Sequence, residues 1–478
     1  MKKILIVTIL AAGVLGACTK NISELNNNPK APENAPGEGL FSNAQKAFTD
    51  IMTTPNVNQN IFELIVQFWA ETTYPQESQY DLGERNIPQN WWTILYRDVI
   101  KDYDQAKVLI RQETALTTED QKIKANKLAI AEICEVYAYS VVLNTFGNIP
   151  YTEALNPDNT TPKFDDAKTV YYALLDSLDA SLAQLDPNYE SFGSNDLIYG
   201  GDVAKWIKFA NSLKLDLGLL IADADPAKAK TVVEAAAPNV FQSNSDNAVF
   251  QYLSAPPNVN PIWTNLVQSN RNDFVPAKTL IDTMNALNDP RRPFYFTLDP
   301  NGNYSGGIPG AGNTYANFSH TSDMTKAPDF PSIWLDDAQV EFDLAEAVER
   351  GFNVGGTAQS HYNKAITASI EYWGGTSTDA LAYLAQPSVN YLTAPGNWKH
   401  KIGIQSWIAL YLRGWQAWTQ WRKLDYPALQ KAANALTDIP VRYTYPINEQ
   451  TLNKANYDAA SQAIGGDDVT TKLFWDKY

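Results

Sequence analysis

The sequence predicts a mainly α-helical fold built from tetratricopeptide-like helix pairs, with a loop-rich portion that faces a ligand. Long stretches of the chain carry apolar residues at spacings of three and four, which gives each helix one apolar face. Short breakers that contain Pro or Gly separate these stretches, as neighbouring antiparallel helices require. Tyr103 with Ala106, and Tyr362 with Ala365, pair an aromatic with a small residue three positions later. This spacing resembles tetratricopeptide packing, although no strict repeat period is visible and simple amphipathic helices explain any single pair equally well.

The first residues are typical of an exported protein. Two lysines precede an uncharged apolar run over residues 4–15, which closes on Gly16 and Ala17. We therefore interpret residues 1–17 as a secretory signal peptide. Cys18 follows directly, and the tetrapeptide "LGAC" looks like a bacterial lipobox, which predicts cleavage before Cys18 and lipidation of its sulfur, for example with palmitate. The alternative is an ordinary signal peptide followed by a chance cysteine.

We predict that residues 18–39 form a lipidated tether, because this tract is rich in Asn, Pro and Gly and buries little apolar surface. We predict that residues 40–478 form the helical domain. Its first helical stretches, in chain order, are "NIFELIVQFWAE", "NWWTILYRDVIKDYDQAKVLI", "KLAIAEICEVYAYSVVLNTFG", "VYYALLDSLDASLAQLD" and "VAKWIKFANSLKLDLGLLIA".

A loop-rich portion follows, at about residues 237–335. It is dense in Pro, Gly, Asn and aromatic residues, and it has one short helical segment near residues 276–287. Loops of this length in a compact domain are usually functional. Helices return in "DDAQVEFDLAEAVERGF", "GTAQSHYNKAITASIEYW" and "GIQSWIALYLRGWQAWTQWRKL", and an extended piece, "IPVRYTYP", precedes the last helical turn.

Charge and cysteine content exclude several classes of protein. The chain has 37 basic and 53 acidic residues, a net charge of −16, so we expect no nucleic-acid partner. The longest internal apolar helix, around residues 129–146, carries Glu132 and Glu135 and falls short of an uninterrupted membrane span. Lipid at Cys18 is then the only membrane anchor. Cys134 has no disulfide partner once Cys18 is lipidated, so the fold must be stabilised by packing.

No catalytic or cofactor motif emerges from the chain. Its three histidines are well separated, and neither an HExxH pair nor a GxSxG, P-loop or dinucleotide motif occurs. The segment that begins at Asp299 starts like a calcium loop, but Tyr304 and Gly310 occupy positions that require Gly and Glu, so a turn is favoured. We therefore predict no cofactor, no metal and no enzymatic activity.

Paired carboxylates leave one alternative open, since a glycosidase needs only two of them. The pairs Asp165/Asp166 and Asp336/Asp337 precede helices, where helix capping explains them. Glu71, which we place at a helix end beside "TTYPQESQY", keeps an acid role possible.

The aromatic residues are the feature of the sequence that indicates ligand binding: the chain has 13 Trp, 25 Tyr and 18 Phe. The spacing of Trp407, Trp415, Trp418 and Trp421 fits one helical face that packs inward. Aromatics in loops are able to stack on the C–H face of a sugar while Asn, Gln and Arg bind its hydroxyls. Anchoring of the loop is an equally good explanation for each single ring. The candidate ligand-binding residues are Tyr74, Tyr80, Trp91, Trp263, Tyr304, Tyr315 and Trp398.

A set of motifs recurs in a fixed order along the chain: the lipobox, "FWAETTYPQESQY", "WWTILYRDVIKDYDQA", "NTFGNIPYTEAL", "NDPRRPFY", "VEFDLAEAVERGF", "SWIALYLRGWQAWTQWRKLDYPAL", "IPVRYTYPINEQTLN" and "KLFWDKY". This ordered set resembles the SusD/RagB family, in its SusD-like branch. They run in family order over essentially the whole mature chain.

The resemblance implies a non-catalytic lipoprotein at the outer membrane, facing the exterior, with a SusC-like TonB-dependent transporter as its partner. Members bind oligosaccharides or peptides, and we expect an oligosaccharide here. The alternatives are a peptide-binding member of the same family and a lipid-anchored, all-helical glycoside hydrolase. Family binding residues vary, so only Cys18 is transferred from the family pattern.

Overall fold

The computed structural model describes residues 36–478. The predicted signal peptide, Cys18 and most of the predicted tether lie outside the described residues, so lipidation stays a prediction. Residues 37–478 form one compact unit. Its first helix begins at Gly37, so the last three residues of the predicted tether, residues 37–39, belong to the helical domain.

The N-terminal half is a series of packed helices. A π-helical turn, Leu95–Ile100, joins α3 and α4 without a break, and α5 begins with a capping box on Thr117. Neighbours pack in pairs, α1 against α4, α5 against α6, and α7 against α8. The helices are α1 (Gly37–Thr53), α2 (Phe62–Ile65), α3 (Ile87–Ile94), α4 (Lys101–Gln112), α5 (Thr118–Phe146), α6 (Ala167–Gln184), α7 (Val203–Leu220) and α8 (Pro226–Ala236).

Short elements make up the middle of the chain. Three of the four strands lie there and form two small antiparallel sheets. In one sheet β1 (Trp69–Glu71), from the N-terminal half, pairs with β3 (Phe274–Pro276), and in the other β2 (Ala248–Phe250) pairs with β4 (Ser332–Leu335). The helices between them are α9 (Pro261–Trp263), α10 (Lys278–Ala286) and α11 (Arg292–Tyr295), of which α10 is the short helix that the sequence predicts.

Helix pairs return in the C-terminal part. Asp336 caps α12 by accepting the Gln339 N–H, the structural role that the sequence favours. Helix α13 packs between α12 and α14, and both Tyr362 and Ala365 are fully buried there. The helices are α12 (Asp337–Glu349), α13 (Ala358–Tyr372), α14 (Ser377–Leu384), α15 (Trp398–Ala409), α16 (Gly414–Leu424), α17 (Ile447–Leu452) and α18 (Lys454–Ala463). The predicted fold class is confirmed.

One predicted helix is two helices in the structure. The chain breaks between α15 and α16, where Leu412 has a φ of 65°. Gly414 opens α16 against α2, and a Cβ at this position would lie 2.6 Å from the backbone nitrogen of Glu63. Inward packing is confirmed for Trp407, Trp415 and Trp418, which α15 and α16 bury together, whereas Trp421 is half-buried.

Helix α5 is the centre of the core. Among the described residues it is the one helix whose length and hydropathy suit a membrane span, but 89% of that window is buried inside the protein. Cys134, on this helix, is a buried free thiol. The apolar character of α5 therefore serves packing.

Candidate functional site

The candidate site is built on the β1–β3 ladder, in which Glu71 pairs with Phe274. Beyond the ladder, the Thr72 N–H donates to the Asp273 carbonyl at 2.9 Å, and the Thr72 hydroxyl donates to the Asn272 carbonyl at 2.5 Å. The chain that leaves β1, residues 72–86, is thus fixed at its start. We call the surface formed by residues 72–86, 303–320 and 430–438 the loop face.

Asn313 joins the second of these segments to the first. Its side chain, 7% exposed, donates to the Glu71 carbonyl at 2.7 Å and to the Ala311 carbonyl at 2.9 Å. Its carbonyl oxygen accepts the Ile308 N–H at 2.9 Å. One buried amide therefore closes the glycine-rich turn and attaches it to β1, which gives an irregular loop a defined conformation.

The third segment is held by backbone bonds. The Ala433 N–H donates to the Pro309 carbonyl at 2.8 Å, and the Leu436 N–H donates to the Gln79 carbonyl at 2.9 Å. The Gln79 side chain in turn donates to the Gly310 carbonyl at 2.8 Å. These contacts tie together segments that lie more than 100 residues apart in sequence.

Apolar side chains project from this anchored surface into solvent. Tyr74 is 66% exposed, Ile308 52% and Leu436 64%. Each comes from a different segment of the loop face. Arg271, paired with Asp273 at 2.6 Å, adds a cationic group directly before β3. An exposed ring such as that of Tyr74 is able to stack on the C–H face of a hydroxylated ligand.

Tyr315 belongs to the same face. Its ring stacks on the His320 ring with centroids 3.8 Å apart and planes 8° apart, and the His320 Nε2 lies 3.0 Å from the Tyr315 carbonyl oxygen. Behind it, Ala70 and Val275 form a small apolar cluster. Tyr315 is therefore a half-buried, rigid ring, and the structure places it on the same loop face as Tyr74.

Two candidate residues are inaccessible, so the prediction that their side chains reach solvent is wrong. Tyr80 is 2% exposed, and its hydroxyl accepts the Ala432 N–H at 3.2 Å. Trp91 is fully buried in α3 and packs edge-on against Phe62 at 4.9 Å. Tyr80 anchors the third segment of the loop face, and Trp91 belongs to the core.

The other three candidates occupy different places. Tyr304 starts the second segment of the loop face, with the Arg292 guanidinium 5.4 Å from its ring. Trp263 is half-buried at the end of α9. Trp398 opens α15, where Arg350 lies 5.4 Å from its ring and a separate hydrophobic cluster packs against it. Ligand contact stays a prediction for all three.

A buried carboxyl pair lies beneath the loop face. Glu71 is in β1 and not at the predicted helix end; it accepts the Ser78 N–H at 2.8 Å. Burial raises the pKa of Glu71 to about 8, and the adjacent Glu77 acts in the same direction. Glu77 is 1% exposed and bonds to Arg85. Both carboxyls are shielded from solvent, which is the opposite of the open cleft that a glycosidase pair requires.

The site gives no indication of a metal centre. Within residues 36–478, no group of three or more His, Cys, Asp or Glu side chains has a geometry suited to a metal ion. Asp299 instead accepts the N–H groups of Asn301 and Asn303 at 2.8 and 3.0 Å, as in an ordinary Asx turn.

Sequence reasoning missed Ile308, Leu436, Arg271 and His320. Ile308 is an apolar residue inside a tract of glycines, a signal that would have identified it. Leu436 carries no comparable signal, because only the distant contact with Gln79 places it on the loop face.

The protein consists of packed helix pairs that carry a surface built from hydrogen-bonded loops. This architecture is an α-helical scaffold of the tetratricopeptide-like type. Residues 27–446 match the family model SusD-like_2, described as starch-binding and associating with the outer membrane. The chain therefore belongs to the SusD-like family. No curated protein matches the sequence.

Solved structures share this fold. A chitin-binding protein is 26% identical, with a TM-score of 0.80 over 92% of this chain and 100% of that chain. A SusD homolog from Bacteroides uniformis ATCC 8492 is 27% identical, with a TM-score of 0.79 over 92% and 99%. A chitin-binding SusD homolog from Flavobacterium johnsoniae is 24% identical, with a TM-score of 0.79 over 92% and 98%, and shows likeness of fold alone.

Proposed function

We propose that this protein is a cell-surface lipoprotein that binds oligosaccharides through its loop face and delivers them to a SusC-like, TonB-dependent outer-membrane transporter. The observation that carries the proposal is Tyr74, a ring 66% exposed on a surface whose three segments are hydrogen-bonded to each other. A large exposed aromatic on a fixed loop is typical of a binding surface.

The chemistry of the loop face favours a sugar. The rings of Tyr74 and Tyr315 offer flat apolar surfaces. Arg271 lies outside the loop face but next to Asn272, whose carbonyl bonds to Thr72, and its guanidinium offers donors for hydroxyl oxygens. The family description and the chitin-binding relative at 26% identity support the same class of ligand. Because the loop face is an open surface, we expect moderate affinity and rapid release, which suit capture followed by transfer.

The test is isothermal titration of the purified protein with oligosaccharides of plant, host and microbial origin, chitin oligosaccharides included, and with mixed peptides. We expect Tyr74→Ala and Tyr315→Ala each to weaken sugar binding about tenfold, the usual effect of removing a well-placed ring. Tyr478, 70% exposed and outside the loop face, provides the matched control as Tyr478→Ala.

Each result decides the proposal. Sugar binding that both loop-face variants weaken, and that the control leaves unchanged, supports it. Binding of peptides alone places the protein on the peptide-handling side of its family, and release of shortened sugars in the same mixtures overturns the non-enzymatic role.

A further inference from the structure

The buried carboxyl pair beneath the loop face has one cation for two acids. Glu71 is 3% exposed and Glu77 is 1% exposed, and the two carboxyls contact each other. Arg85 bonds to Oε1 of Glu77, whereas no lysine or arginine within residues 36–478 bonds to Glu71. If both carboxyls were ionised, one buried negative charge would have no partner, which is costly in free energy. One of the two carboxyls therefore carries a proton in the folded protein.

The hydrogen bonds around the pair show where this proton lies. Oε2 of Glu71 accepts the Ser78 N–H at 2.8 Å. Oε2 of Glu77 is buried and receives no hydrogen bond from any donor within residues 36–478. A proton on Glu71 supplies the missing donor, because a carboxylic acid has an O–H group that a carboxylate lacks. The pair is then a neutral acid bonded to a carboxylate, with Arg85 on the far side of Glu77.

A metal ion is a poorer occupant of the same place. The Arg85 guanidinium bonds to Glu77 and would repel a second cation beside it. The two carboxyls are also too few, since no group of three or more His, Cys, Asp or Glu side chains in the described chain has a geometry suited to a metal. A shared proton satisfies the buried oxygen without adding a second full charge next to Arg85.

The pair joins a fixed strand to a loop. Glu71 belongs to β1, where the ladder pairs it with Phe274 and the Asn313 side chain donates to its carbonyl at 2.7 Å. Glu77 belongs to the first segment of the loop face, residues 72–86, which has no such ladder. Repulsion between two ionised carboxyls would therefore displace Glu77 and leave Glu71 in place.

A displacement of Glu77 would reach the rest of the loop face. The two residues that anchor the other segments follow closely: Gln79 donates to the Gly310 carbonyl at 2.8 Å, and the Tyr80 hydroxyl accepts the Ala432 N–H at 3.2 Å. Tyr74, the exposed ring, lies three residues before Glu77 on the same segment. The pair thus supports both the ring and the contacts that hold the three segments together.

We propose that Glu71 and Glu77 share one proton that positions the first segment of the loop face, and that loss of this proton releases the segment and weakens the capture of sugar. The two carboxyls act through the segment and do not touch the ligand. The effect on sugar rests on the proposed function, whereas the release of the segment does not.

The proton is lost in an accessible pH range. Burial, reinforced by the adjacent Glu77, raises the pKa of Glu71 from 4.5 to about 8. Because the folded pKa lies above the ordinary one, the stabilisation of the segment is complete below about pH 4.5 and is lost as the pH rises through about 8. The other charged or titratable groups around the pair are Arg85 and Glu84 on the same segment, Arg271 paired with Asp273 before β3, and Tyr80, Tyr315, His320 and Lys431 paired with Asp438 on the loop face.

Hydrogen–deuterium exchange of the purified full chain measures the release without any ligand. Protection of peptides within residues 72–86, relative to the intrinsic exchange rate at each pH, should fall about tenfold between pH 7 and pH 9. A group with a pKa of about 8 is about nine-tenths protonated at the first pH and about one-tenth protonated at the second. Peptides from α5 should keep their protection, because the release is local.

Glu71→Gln should remove this response, because an amide accepts the Ser78 N–H and donates to Glu77 at every pH. Its segment should stay protected at pH 9. Glu84→Gln, at an exposed residue of the same segment, is the matched control and should respond to pH as the unmodified protein does. Glu63 and the other buried acids are present in all three proteins, so their titration cancels in the comparison.

Isothermal titration with chitin and starch oligosaccharides, which carry no charge between pH 7 and pH 9, measures the effect on capture. The affinity of the unmodified protein should fall about tenfold over this range, since only the fraction with the shared proton is competent to bind. The affinity of Glu71→Gln should equal that of the unmodified protein at pH 7 and should change little at pH 9.

The two measurements separate this inference from the proposed function. Loss of protection at pH 9 in the unmodified protein and in Glu84→Gln, but not in Glu71→Gln, supports the shared proton. Equal protection at both pH values, the same loss in Glu71→Gln, or a sugar affinity that does not change with pH overturns it. Absence of sugar binding at pH 7 contradicts the proposed function, and the exchange experiment still decides whether the proton holds the segment. The comparison of pH values in the unmodified protein requires no variant to fold.

Discussion

Arg422 shows how a single residue near the end of the chain is built into the core. Its guanidinium lies 3.4 Å from the Trp418 ring and 4.9 Å from the Trp475 ring. It donates to the carbonyls of Asn144 and Val441 at 2.8 and 2.9 Å. Burial lowers the pKa of Arg422 to about 9, because no carboxylate within residues 36–478 bonds directly to it. The planar, weakly hydrated guanidinium suits this place between two indoles.

Arg422→Lys should therefore destabilise the protein although it preserves the charge. A lysine has a single ammonium, which cannot stack between two rings and also reach both carbonyls. We expect a loss of about 2 kcal/mol in the free energy of unfolding, as for a buried hydrogen-bonded network that loses members. Urea unfolding measures it, with Arg97→Lys, at a side chain 69% exposed, as control. Equal midpoints for both variants would contradict the stacking argument.

We expect the carboxyl of Glu63 to make the stability of the protein depend on pH. Glu63 is half-buried on α2 with its Oε2 shielded from solvent, it accepts the Gly414 N–H at 2.7 Å, and burial of the carboxyl raises its pKa from 4.5 to about 8. Because the folded pKa lies above the unfolded one, folding favours the protonated carboxyl. Its contribution is complete below about pH 4.5 and is lost as pH rises toward 8.

Glu63→Gln should remove this dependence, because an amide has the same shape and stays neutral. Its Oε1 still accepts the Gly414 N–H. Relative to the variant, the unmodified protein should lose about 3 kcal/mol of unfolding free energy between pH 5 and pH 8, the order of magnitude of a shift of several pH units. Other acids with raised pKa, such as Asp337, are present in both proteins and cancel in the comparison. Parallel pH profiles of the two proteins would refute this assignment.

At the scale of elements, the glycine-rich turn of the loop face depends on a close approach of two backbones. Gly310 has a φ of 78°, and a Cβ at this position would lie 2.1 Å from the carbonyl oxygen of Ala433. Gly302 also has a φ of 78°, but a Cβ there meets no atom within 4 Å. The two positions share the same backbone conformation and differ in their contacts.

Gly310→Ala should therefore displace residues 430–438 and weaken oligosaccharide binding, whereas Gly302→Ala should not. We expect Gly302→Ala to cost about 1 kcal/mol through its backbone conformation alone. Gly310→Ala should cost more, and sugar affinity should fall at least about tenfold because the loop face loses its third segment. Titration calorimetry with melting temperatures measures both. Full affinity in Gly310→Ala would show that this segment does not support the site.

The helices were predictable where the periodicity is local, and the exceptions have tertiary causes. Helices α5, α6 and α7 follow their apolar spacing, and α10 lies within the predicted interval. The break between α15 and α16 was not predictable, because Gly414 meets α2 across about 350 residues of chain. Trp91 was misjudged although it lies in a predicted helical stretch, because its burial depends on the tertiary contact with Phe62 of α2.

At the scale of the whole molecule, sequence motifs defined the family and the scaffold but only part of the candidate site. Tyr74 and Tyr315 lie on the loop face, and Tyr80 supports it from inside. The exposure of these tyrosines depends on which segments pack over them. One such segment, residues 430–438, comes from a distant part of the chain. Such long-range contacts leave no local pattern in the sequence.

The whole-molecule proposal depends on Cys18, outside the described residues. If its sulfur carries a lipid, the unmodified protein fractionates with the outer membrane, is digested by protease added to intact cells, and incorporates a palmitate analogue. Cys18→Ser should abolish incorporation and release the protein from the membrane, since no helix of the described domain is free to insert. Cys134→Ser should change neither, because Cys134 is buried in α5.

The same pair of variants tests delivery to a transporter. Affinity purification of the unmodified protein from detergent-solubilised outer membranes should recover a TonB-dependent transporter, because two proteins confined to one membrane meet at a much higher effective concentration. Purification of the Cys18→Ser variant from cells should recover little transporter, because the variant lacks the anchor that holds the two proteins close together. The purified variant should still bind the purified transporter, because the contact is made by the helical surface. A lipidated protein that recovers no transporter would retain a role in capture and would lose the proposed role in delivery.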